Sequence, residues 1–478
     1  MSTRDVIAIL PLLILAAAAV AVMLSVAIRR RHAVSAALTL AGLIAAFLSL
    51  WPVRSVAPAD VGQLLVLDSY AVFYIGLILA ASIIFVLLAY GYLERCEGQR
   101  DELYILMLVA TIGSAVLVAS AHFVSLFLGL ELLSVSLYGM ISYLRSRPLP
   151  LEAGLKYLVL AAASAAFLLF GMALIYGALG TMQFRQMTDL LSSGSRSDQW
   201  LVLPGLALIL TGFGFKLALV PFHLWTPDVY EGAPAPVTAY IATVSKGAMF
   251  ALLVRYFYRS GAHDLGQIFV LFQVIAIASM FAGNILALLQ TNVKRMLAYS
   301  SIAHLGYVLV AFQVGGGMGA GAVALYLVAY FVTTLGAFGV ITVLSDGTHE
   351  AEELEDYRGL FWRSPGLAAI FTAMLLSLAG IPATAGFIGK FYVLAAGASS
   401  SLWLLLVSVA VTSGLGLFYY LRVVVAMYQA SPGTRESQHM QAGIGRLVLA
   451  FLTLFLFWLG IFPGRILSVI RDAVAGLT

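Results

Sequence analysis

Long, continuously apolar runs divide this chain, and short polar segments separate them. Each run reaches roughly 20 residues, which is enough to cross the hydrocarbon of a bilayer. Backbone groups in lipid have no outside partner, so the runs are predicted to be helices, whereas a β-barrel would need alternating apolar and polar residues. The predicted spans are numbered 1 to 14, with ends good to about three residues. They cover residues 6–28, 33–51, 68–93, 103–121, 123–144, 155–179, 201–222, 235–258, 265–289, 296–313, 318–344, 366–397, 402–428 and 444–463.

Composition supports an all-α, polytopic membrane protein. Hydrophobic residues make up 62% of the chain and charged residues only 10%, whereas soluble domains carry about 25% charged residues. The basic residues are scattered, which gives no footprint for nucleic acid. The only cysteine, Cys96, excludes an internal disulfide, a thiolate zinc site and an iron–sulfur cluster held by this chain alone. We therefore expect no metal and no cofactor in the chain itself.

The basic residues also predict an orientation. A cluster of three arginines, residues 29–31, follows the first span and does not precede it. The first span is therefore interpreted as an uncleaved span and not as a signal peptide. With the first loop placed inside, inside segments hold fourteen basic residues, Arg435 among them, and outside segments hold eight, Arg196 and Arg255 among them. Cytoplasmic loops carry the excess of basic residues. Both termini are therefore predicted to lie outside.

Three lysines lie where a fixed charge is costly. Lys216, Lys246 and Lys390 sit deep in apolar spans, although the loops use arginine almost throughout. Arginine keeps its proton, whereas a buried lysine can lose it. The use of lysine within the spans, and of arginine in the loops, indicates that these three lysines bind and release protons. Lys294, next to Arg295, is interpreted instead as an interfacial anchor.

Glu131 is the one acidic residue predicted to lie in the middle of a span. It is about 12 Å into span 5, at about 1.5 Å per residue. A charge at that depth costs at least about 2.5 kcal/mol, and such residues generally serve function. The other interpretation is a structural ion pair between Glu131 and one of the lysines.

Spans 7 and 12 are predicted to be broken helices, because each combines glycines, a proline and a lysine. Lys216 precedes Pro221 in span 7, and Lys390 follows Pro382 in span 12. This mirrored order predicts an inverted repeat of two five-helix units, spans 4–8 and spans 9–13. The alternative is two unrelated proline kinks. The predicted regions are residues 1–102 (three helices), 103–260 (first repeat), 261–429 (second repeat) and 430–478 (the last helix).

His304 lies within span 10, at the position that corresponds to Glu131 under the repeat. An imidazole can relay protons near neutral pH. A neutral histidine bonded to a hydroxyl group is an equally good interpretation.

Three motifs resemble the antiporter-like membrane subunits of respiratory complex I, the NADH–quinone oxidoreductase. They are KLALVPFHLWTPDVYEGAP (216–234), NVKRMLAYSSIAHLGY (292–307) and GIPATAGFIGKF (380–391). The resemblance covers essentially the whole chain. The chain ends soon after span 14, without the long lateral helix that one subunit of the family has. At the position of Lys390, another subunit of the family usually has glutamate.

The resemblance implies a role for each matching residue. Glu131 and Lys216 match the family's Glu–Lys pair, Lys246 its central lysine, and Lys390 the residue that hands protons outward. It also implies a bacterial inner-membrane location, membrane and peripheral partner subunits, and quinone reduction elsewhere in the complex. The flavin (FMN) and the iron–sulfur clusters are then expected on partner subunits.

Two other functions remain open at this point. One is a subunit of a multi-subunit sodium/proton antiporter, which shares the fold. Only Glu131 offers a carboxylate in mid-membrane, which disfavours a sodium site. The other is a purely structural scaffold, which leaves the three deep lysines unexplained.

Overall fold

The computed structural model describes residues 2–145, 147–192, 199–345, 349–430 and 443–477. Arg196 and Arg435, which were counted for the orientation, lie outside the described residues. Within the described part, the chain is a bundle of helices, as predicted.

Twelve described helices are long and apolar enough to cross a membrane, and they correspond to every predicted span except 7 and 12. Spans 1 to 6 are Leu10–Ile28, His32–Val56, Ser69–Arg95, Glu102–Ala119, Phe123–Ile141 and Pro148–Leu179. Spans 8 to 11 are Ala235–Arg259, Gly266–Leu288, Val293–Val314 and Gly316–Leu344, and spans 13 and 14 are Trp403–Tyr428 and Ile444–Ile461. Span 2 comprises His32–Leu48 and Leu50–Val56, joined at Ser49.

The remaining helices are short. They are Thr3–Ala8, Phe184–Ser192, Leu354–Tyr357, Leu360–Arg363 and Gly464–Val474, with 3₁₀ turns at Gln199–Leu201 and Ala262–Asp264. The all-α prediction missed one hairpin between spans 2 and 3, in which Ala59–Val61 pairs antiparallel with Leu65–Leu67. Each strand has only three residues, which is too short for a periodic signal in the sequence.

Span 7 is broken, as predicted. Its first half is Val202–Leu217, and a short helix, Trp225–Gly232, follows the break. Ala218 adopts a left-handed conformation (φ 59°), and the Leu219 N–H donates to the Gly214 carbonyl at 2.8 Å. The Phe215 carbonyl accepts a bond from the Trp225 indole at 2.9 Å. Hydrogen bonds to other protein groups thus satisfy these irregular backbone groups, which is necessary within a membrane.

Span 12 is also broken, into Pro365–Ala379 and Ala385–Ser399. Gly380 ends the first half in the left-handed region (φ 89°), which glycine adopts without steric cost. The second half begins where the Gly386 N–H donates to the Ser377 hydroxyl at 3.0 Å. Both halves of the span are therefore fixed to each other across the break.

Spans 8, 10 and 11 are the most buried, and spans 1, 2, 6 and 14 are the least buried. Close helix contacts recur at two glycines. A Cβ atom at Gly113 of span 4 would lie 2.6 Å from the Leu133 nitrogen of span 5, and one at Gly283 of span 9 would lie 2.6 Å from the Ala303 nitrogen of span 10. Spans 4 and 5 thus pack as spans 9 and 10 do, which the repeat predicts. The region boundaries at 102, 260 and 429 stay predictions.

Candidate functional site

Lys216 lies in the last turn of the first half of span 7, and its side chain is buried. Its Nζ donates to the Ser134 hydroxyl of span 5 at 2.8 Å and to the Tyr157 hydroxyl of span 6 at 2.7 Å. The ammonium also lies 5.1 Å from the centre of the Tyr157 ring, within the range of a cation–π contact. A cation at the end of a helix is favoured by the helix dipole. Hydroxyls, the ring and the helix end therefore surround this lysine.

Glu131 lies one turn before Ser134 on span 5, so the two share a helix face. Glu131 is half-buried, and its neighbours Leu132 and Val135 are exposed at the surface of the chain. Glu131 is close enough to Lys216 to interact with it electrostatically. No ion pair within 4 Å joins the two among the described residues, so the structure does not contain the direct structural pair considered from the sequence.

Lys246 is at the centre of the bundle, directly after a π-helical turn, Ile241–Ser245, in span 8. Its side chain is 1% exposed. Its Nζ donates to the Ser301 hydroxyl of span 10 at 2.6 Å and lies 5.0 Å from the centre of the Tyr230 ring. Turns of π-helix inside α-helices occur frequently at functional sites. No pattern in the sequence indicates this turn.

Ser301 joins three groups. Its hydroxyl accepts bonds from Lys246 and from the Tyr330 hydroxyl at 2.7 Å, and the Tyr230 hydroxyl lies 3.4 Å away. A serine hydroxyl has two acceptor lone pairs and one proton to donate. With both lone pairs occupied, Ser301 can donate its own proton to the Tyr230 oxygen. This arrangement connects Lys246 to hydroxyls on two other elements.

His304, one turn beyond Ser301, is buried between two tyrosines. Its Nδ1 lies 2.7 Å from the Tyr326 hydroxyl and its Nε2 lies 3.2 Å from the Tyr420 hydroxyl. Its ring centre is 5.6 Å from that of Tyr330. Both interpretations of this histidine include hydroxyl partners, so the contacts do not choose between a relay and a neutral packing group.

Lys390 lies in the second half of span 12. Its Nζ donates at 2.8 Å to the carbonyl of Ala379, the last residue of the first half, and at 2.8 Å to the Ser413 hydroxyl of span 13. The ammonium is 5.3 Å from the centre of the Tyr307 ring. Lys390 therefore bridges the break in span 12, just as the environment of Lys216 includes the break in span 7.

A cleft of about 320 Å³ adjoins Lys390 between spans 12 and 13. Its lining is mainly apolar and includes Phe391, which is exposed at the surface of the chain. Lys390 can therefore be reached from outside the helix bundle, in contrast to the tightly enclosed Lys246.

Aromatic side chains connect these groups in sequence. The Tyr307 ring contacts both Lys390 and the His304 ring, whose centre is 5.6 Å away. At the other end of the series, the rings of Tyr157 and Trp225 lie 4.9 Å apart, next to Lys216. The structure thus connects Lys246, His304 and Lys390 through buried hydroxyl and aromatic groups, whereas Lys216 has its own buried surroundings and Glu131 lies half-buried near it.

Two cations near span ends are more deeply buried than the sequence indicated. Arg255, counted with the outside segments, is 2% exposed and binds Asp68 through both guanidinium nitrogens, at 2.9 and 2.7 Å. Asp68 also caps span 3 by accepting from the Ala71 N–H. An aspartate directly before an apolar run is an N-cap signal that could have indicated this position.

Lys294 is the second, and the interpretation as an interfacial anchor is wrong for it. Its side chain is completely buried and donates to the carbonyls of Glu231 at 2.7 Å and Ala233 at 2.8 Å. The Glu350 carboxylate is 3.4 Å away. Its neighbour Arg295 remains partly exposed and pairs with Glu231 at 2.6 Å.

Glu350 belongs to the connection between spans 11 and 12, which covers the ends of several spans. It accepts a bond from the Tyr92 hydroxyl and lies 3.6 Å from the Arg147 guanidinium. In the same connection, burial raises the pKa of the Glu352 carboxyl, although Lys294 nearby opposes this effect. These contacts tie the surface connection to spans 3 and 10.

The site consists of nitrogen and oxygen groups that are able to exchange protons. Within the described ranges, no group of three or more His, Cys, Asp or Glu side chains is placed to hold a metal ion. Amines, imidazole and hydroxyls can all accept and release protons.

Comparisons with known proteins show the family to which the chain belongs. Residues 120–416 match the family described as NADH:quinone oxidoreductase/Mrp antiporter, TM. The chain is 49% identical to NADH-quinone oxidoreductase subunit N of Ectopseudomonas mendocina (strain ymp), over 99% of this chain and 97% of that protein. A chain of respiratory complex I from Thermus thermophilus with bound aureothin is 34% identical, with a TM-score of 0.82 over 97% of this chain and 99% of that one. A chain of the Mrp complex from Dietzia sp. DQ12-45-1b shares the fold (TM-score 0.87, 20% identity, 100% and 98% coverage).

Proposed function

Because this chain belongs to the NADH:quinone oxidoreductase/Mrp antiporter membrane family and is a proton-translocating membrane subunit of NADH–quinone oxidoreductase, similar to subunit N, we propose that its three deeply buried lysines carry the protons. The proposed series of stations is Glu131, Lys216, Lys246, His304 and Lys390.

The observation that carries this proposal is the set of partners of the lysines. Among the described residues, Lys216, Lys246 and Lys390 have no carboxylate within 4 Å, and each donates to hydroxyl or carbonyl oxygens instead. A buried charge without a counter-ion is expensive. A lysine that alternates between the charged and neutral forms carries this cost for only part of the cycle, and its hydroxyl partners can bond to both forms.

Glu131 controls the first lysine through charge. A carboxylate near Lys216 biases whether the lysine holds its proton, and the low dielectric of the membrane interior strengthens that interaction. Since Glu131 does not bind Lys216 directly, it can change its own protonation without breaking a fixed contact.

Ser301 passes protons at the centre. As an N–H bond of the Lys246 ammonium breaks, its proton adds to the Ser301 oxygen and the original Ser301 proton passes to the oxygen of Tyr230 or of a water molecule, which gives up one of its own protons in turn. One O–H bond forms and one breaks, so the serine ends unchanged. Lys390 is then the last station of the proposed series, from which protons leave outward.

The remaining assignments follow from the membership of the complex. The chain carries no cofactor of its own, and FMN and the iron–sulfur clusters reside on peripheral partner subunits, where NADH is oxidised. Quinone is reduced elsewhere in the complex. The chain spans the bacterial inner membrane with both termini on the outer side, which the bias of basic residues supports.

Purification through a tag on this chain tests the proposal against the sodium/proton antiporter. We expect the purified complex to oxidise NADH and, in vesicles, to acidify the lumen on NADH addition without sodium. The antiporter alternative predicts copurification of membrane subunits alone, and acidification driven by a sodium gradient in the absence of NADH. That second pattern would contradict the proposed function.

A further inference from the structure

The short helix Trp225–Gly232 touches the surroundings of two lysines at once. Trp225 donates to the carbonyl of Phe215, the residue before Lys216. Five residues later, the Tyr230 ring lies against the Lys246 ammonium, and its hydroxyl faces Ser301. A shift of this eight-residue helix would therefore alter both stations together.

The other face of the same helix is held by cations from spans 6 and 10. Lys156 and Arg295 bind the Asp228 carboxylate, each at 2.9 Å, and these two bonds lower the pKa of Asp228 although burial alone would raise it. Lys294 holds the backbone of the helix end itself, through the carbonyls of Glu231 and Ala233.

Lys294 differs from the other two cations in burial. Its side chain is 0% exposed, whereas that of Lys156 is 44% exposed. Exposed ion pairs contribute little, because water screens them, but a buried ammonium bound to helix-end carbonyls is a strong, charge-assisted contact. The two hydrogen bonds from Lys294 therefore contribute more to holding the helix end in place than the exposed ion pairs do.

We propose that Lys294 is a positioning residue for proton transfer: it fixes the end of the helix Trp225–Gly232 and so holds Tyr230 against Lys246 and Ser301. This inference rests on the proposed function, in which Ser301 passes protons toward Tyr230. Glu350 supports the contact of Lys294 with the helix end, because its carboxylate lies 3.4 Å from the Lys294 ammonium, and Tyr92 and Arg147 in turn hold Glu350.

Hydrogen–deuterium exchange of the intact complex tests, independently of pumping, whether Lys294 fixes the helix end. In Lys294→Met, amides of residues 225–233 should exchange about tenfold faster, since a charge-assisted bond of this kind contributes roughly 1.4 kcal/mol or more, equal to that factor. Lys156→Met is the matched control, with exchange as in the wild type. Glu350→Gln, which keeps Lys294 in place, should give a smaller change in the same direction and serves if the methionine variant fails to assemble.

NADH-driven proton pumping tests the role in transfer. We expect Lys294→Met and Tyr230→Phe each to lower pumping about tenfold, and the double variant to be no worse than Tyr230→Phe, because residues that act through one another are not additive. A merely structural lysine would give additive losses.

The outcomes separate the two proposals. Unchanged exchange in Lys294→Met overturns the claim that Lys294 fixes the helix end. If that variant does not assemble, unchanged exchange in Glu350→Gln overturns it. Faster exchange with normal pumping, or additive losses, overturns the role of Lys294 in proton transfer. Normal pumping in Lys216→Ala would instead show that the proposed proton path itself is wrong.

Discussion

The ammonium nitrogen of Lys246 lies 2.6 Å from the hydroxyl oxygen of Ser301, so a single charge-assisted bond joins spans 8 and 10 at the centre of the bundle. The same hydroxyl accepts from Tyr330. Ser301 is thus a hydrogen-bond partner of the most deeply enclosed lysine of the series and, in the proposed function, also the group that receives its proton.

Ser301→Ala is therefore expected to lower NADH-driven proton pumping by about tenfold, the effect of losing one hydrogen bond to a charged group. The measurement is acidification of inverted membrane vesicles, normalised to assembled complex. Ser408→Ala is the control, because the Ser408 hydroxyl is also buried but bonds to a carbonyl of its own helix. Equal pumping in the two variants would remove Ser301 from the path.

Lys216→Ala is expected to abolish most proton pumping while the complex still assembles. The hydroxyls of Ser134 and Tyr157, which now bind the ammonium, can bond to water in its place. Lys156→Ala removes a lysine at the exposed end of span 6 and should pump normally, because exposed ion pairs contribute little. Normal pumping by assembled Lys216→Ala would contradict the role of this lysine.

Glu131 distinguishes charge from packing. Glu131→Gln keeps the shape but removes the negative charge near Lys216, so pumping should fall markedly. Glu131→Asp keeps the charge on a shorter side chain and should retain part of the activity. Vesicle pumping of the two variants is compared directly. If Gln pumped like the wild type, the carboxylate would have no part in proton transfer.

The break in span 12 depends on a glycine. A Cβ atom at Gly386 would lie 1.8 Å from the Ser377 carbonyl oxygen, which no side-chain adjustment can relieve. Gly386→Ala should therefore separate the two halves of span 12, displace Lys390 and impair pumping or assembly. Gly366→Ala, where nothing lies within 4 Å, is the matched control. Native gels and vesicle pumping report the result, and wild-type behaviour of Gly386→Ala would contradict the described contact across the break.

The sequence was sufficient for the spans and both breaks. Continuous apolar runs leave helices as the only spanning structure in a chain of this composition, and Pro221 and Pro382 mark interruptions because proline cannot donate a backbone bond. The candidate lysines were visible because the loops use arginine almost throughout. Local chemistry alone decided each of these features.

The partners of those lysines could not be predicted, because they come from distant spans. Ser301 is 55 positions from Lys246 in the chain, and Tyr157 is 59 positions from Lys216. No local pattern indicates which hydroxyl meets which amine. Lys294 was misjudged for the same reason: its position at a span end suggested exposure, whereas the connection that carries Glu350 covers it.

The central claim is that the buried lysines change protonation during turnover, and Lys390→Arg tests it most directly. Arginine keeps the positive charge but does not release its proton, and the cleft beside Lys390 has room for the larger guanidinium. Vesicle acidification driven by NADH is measured for Lys390→Arg, with Lys246→Arg as a companion and assembly checked on native gels. We predict assembled complexes that oxidise NADH but pump few protons through this chain. Full pumping in both arginine variants would show that these lysines are fixed charges and that protons cross elsewhere.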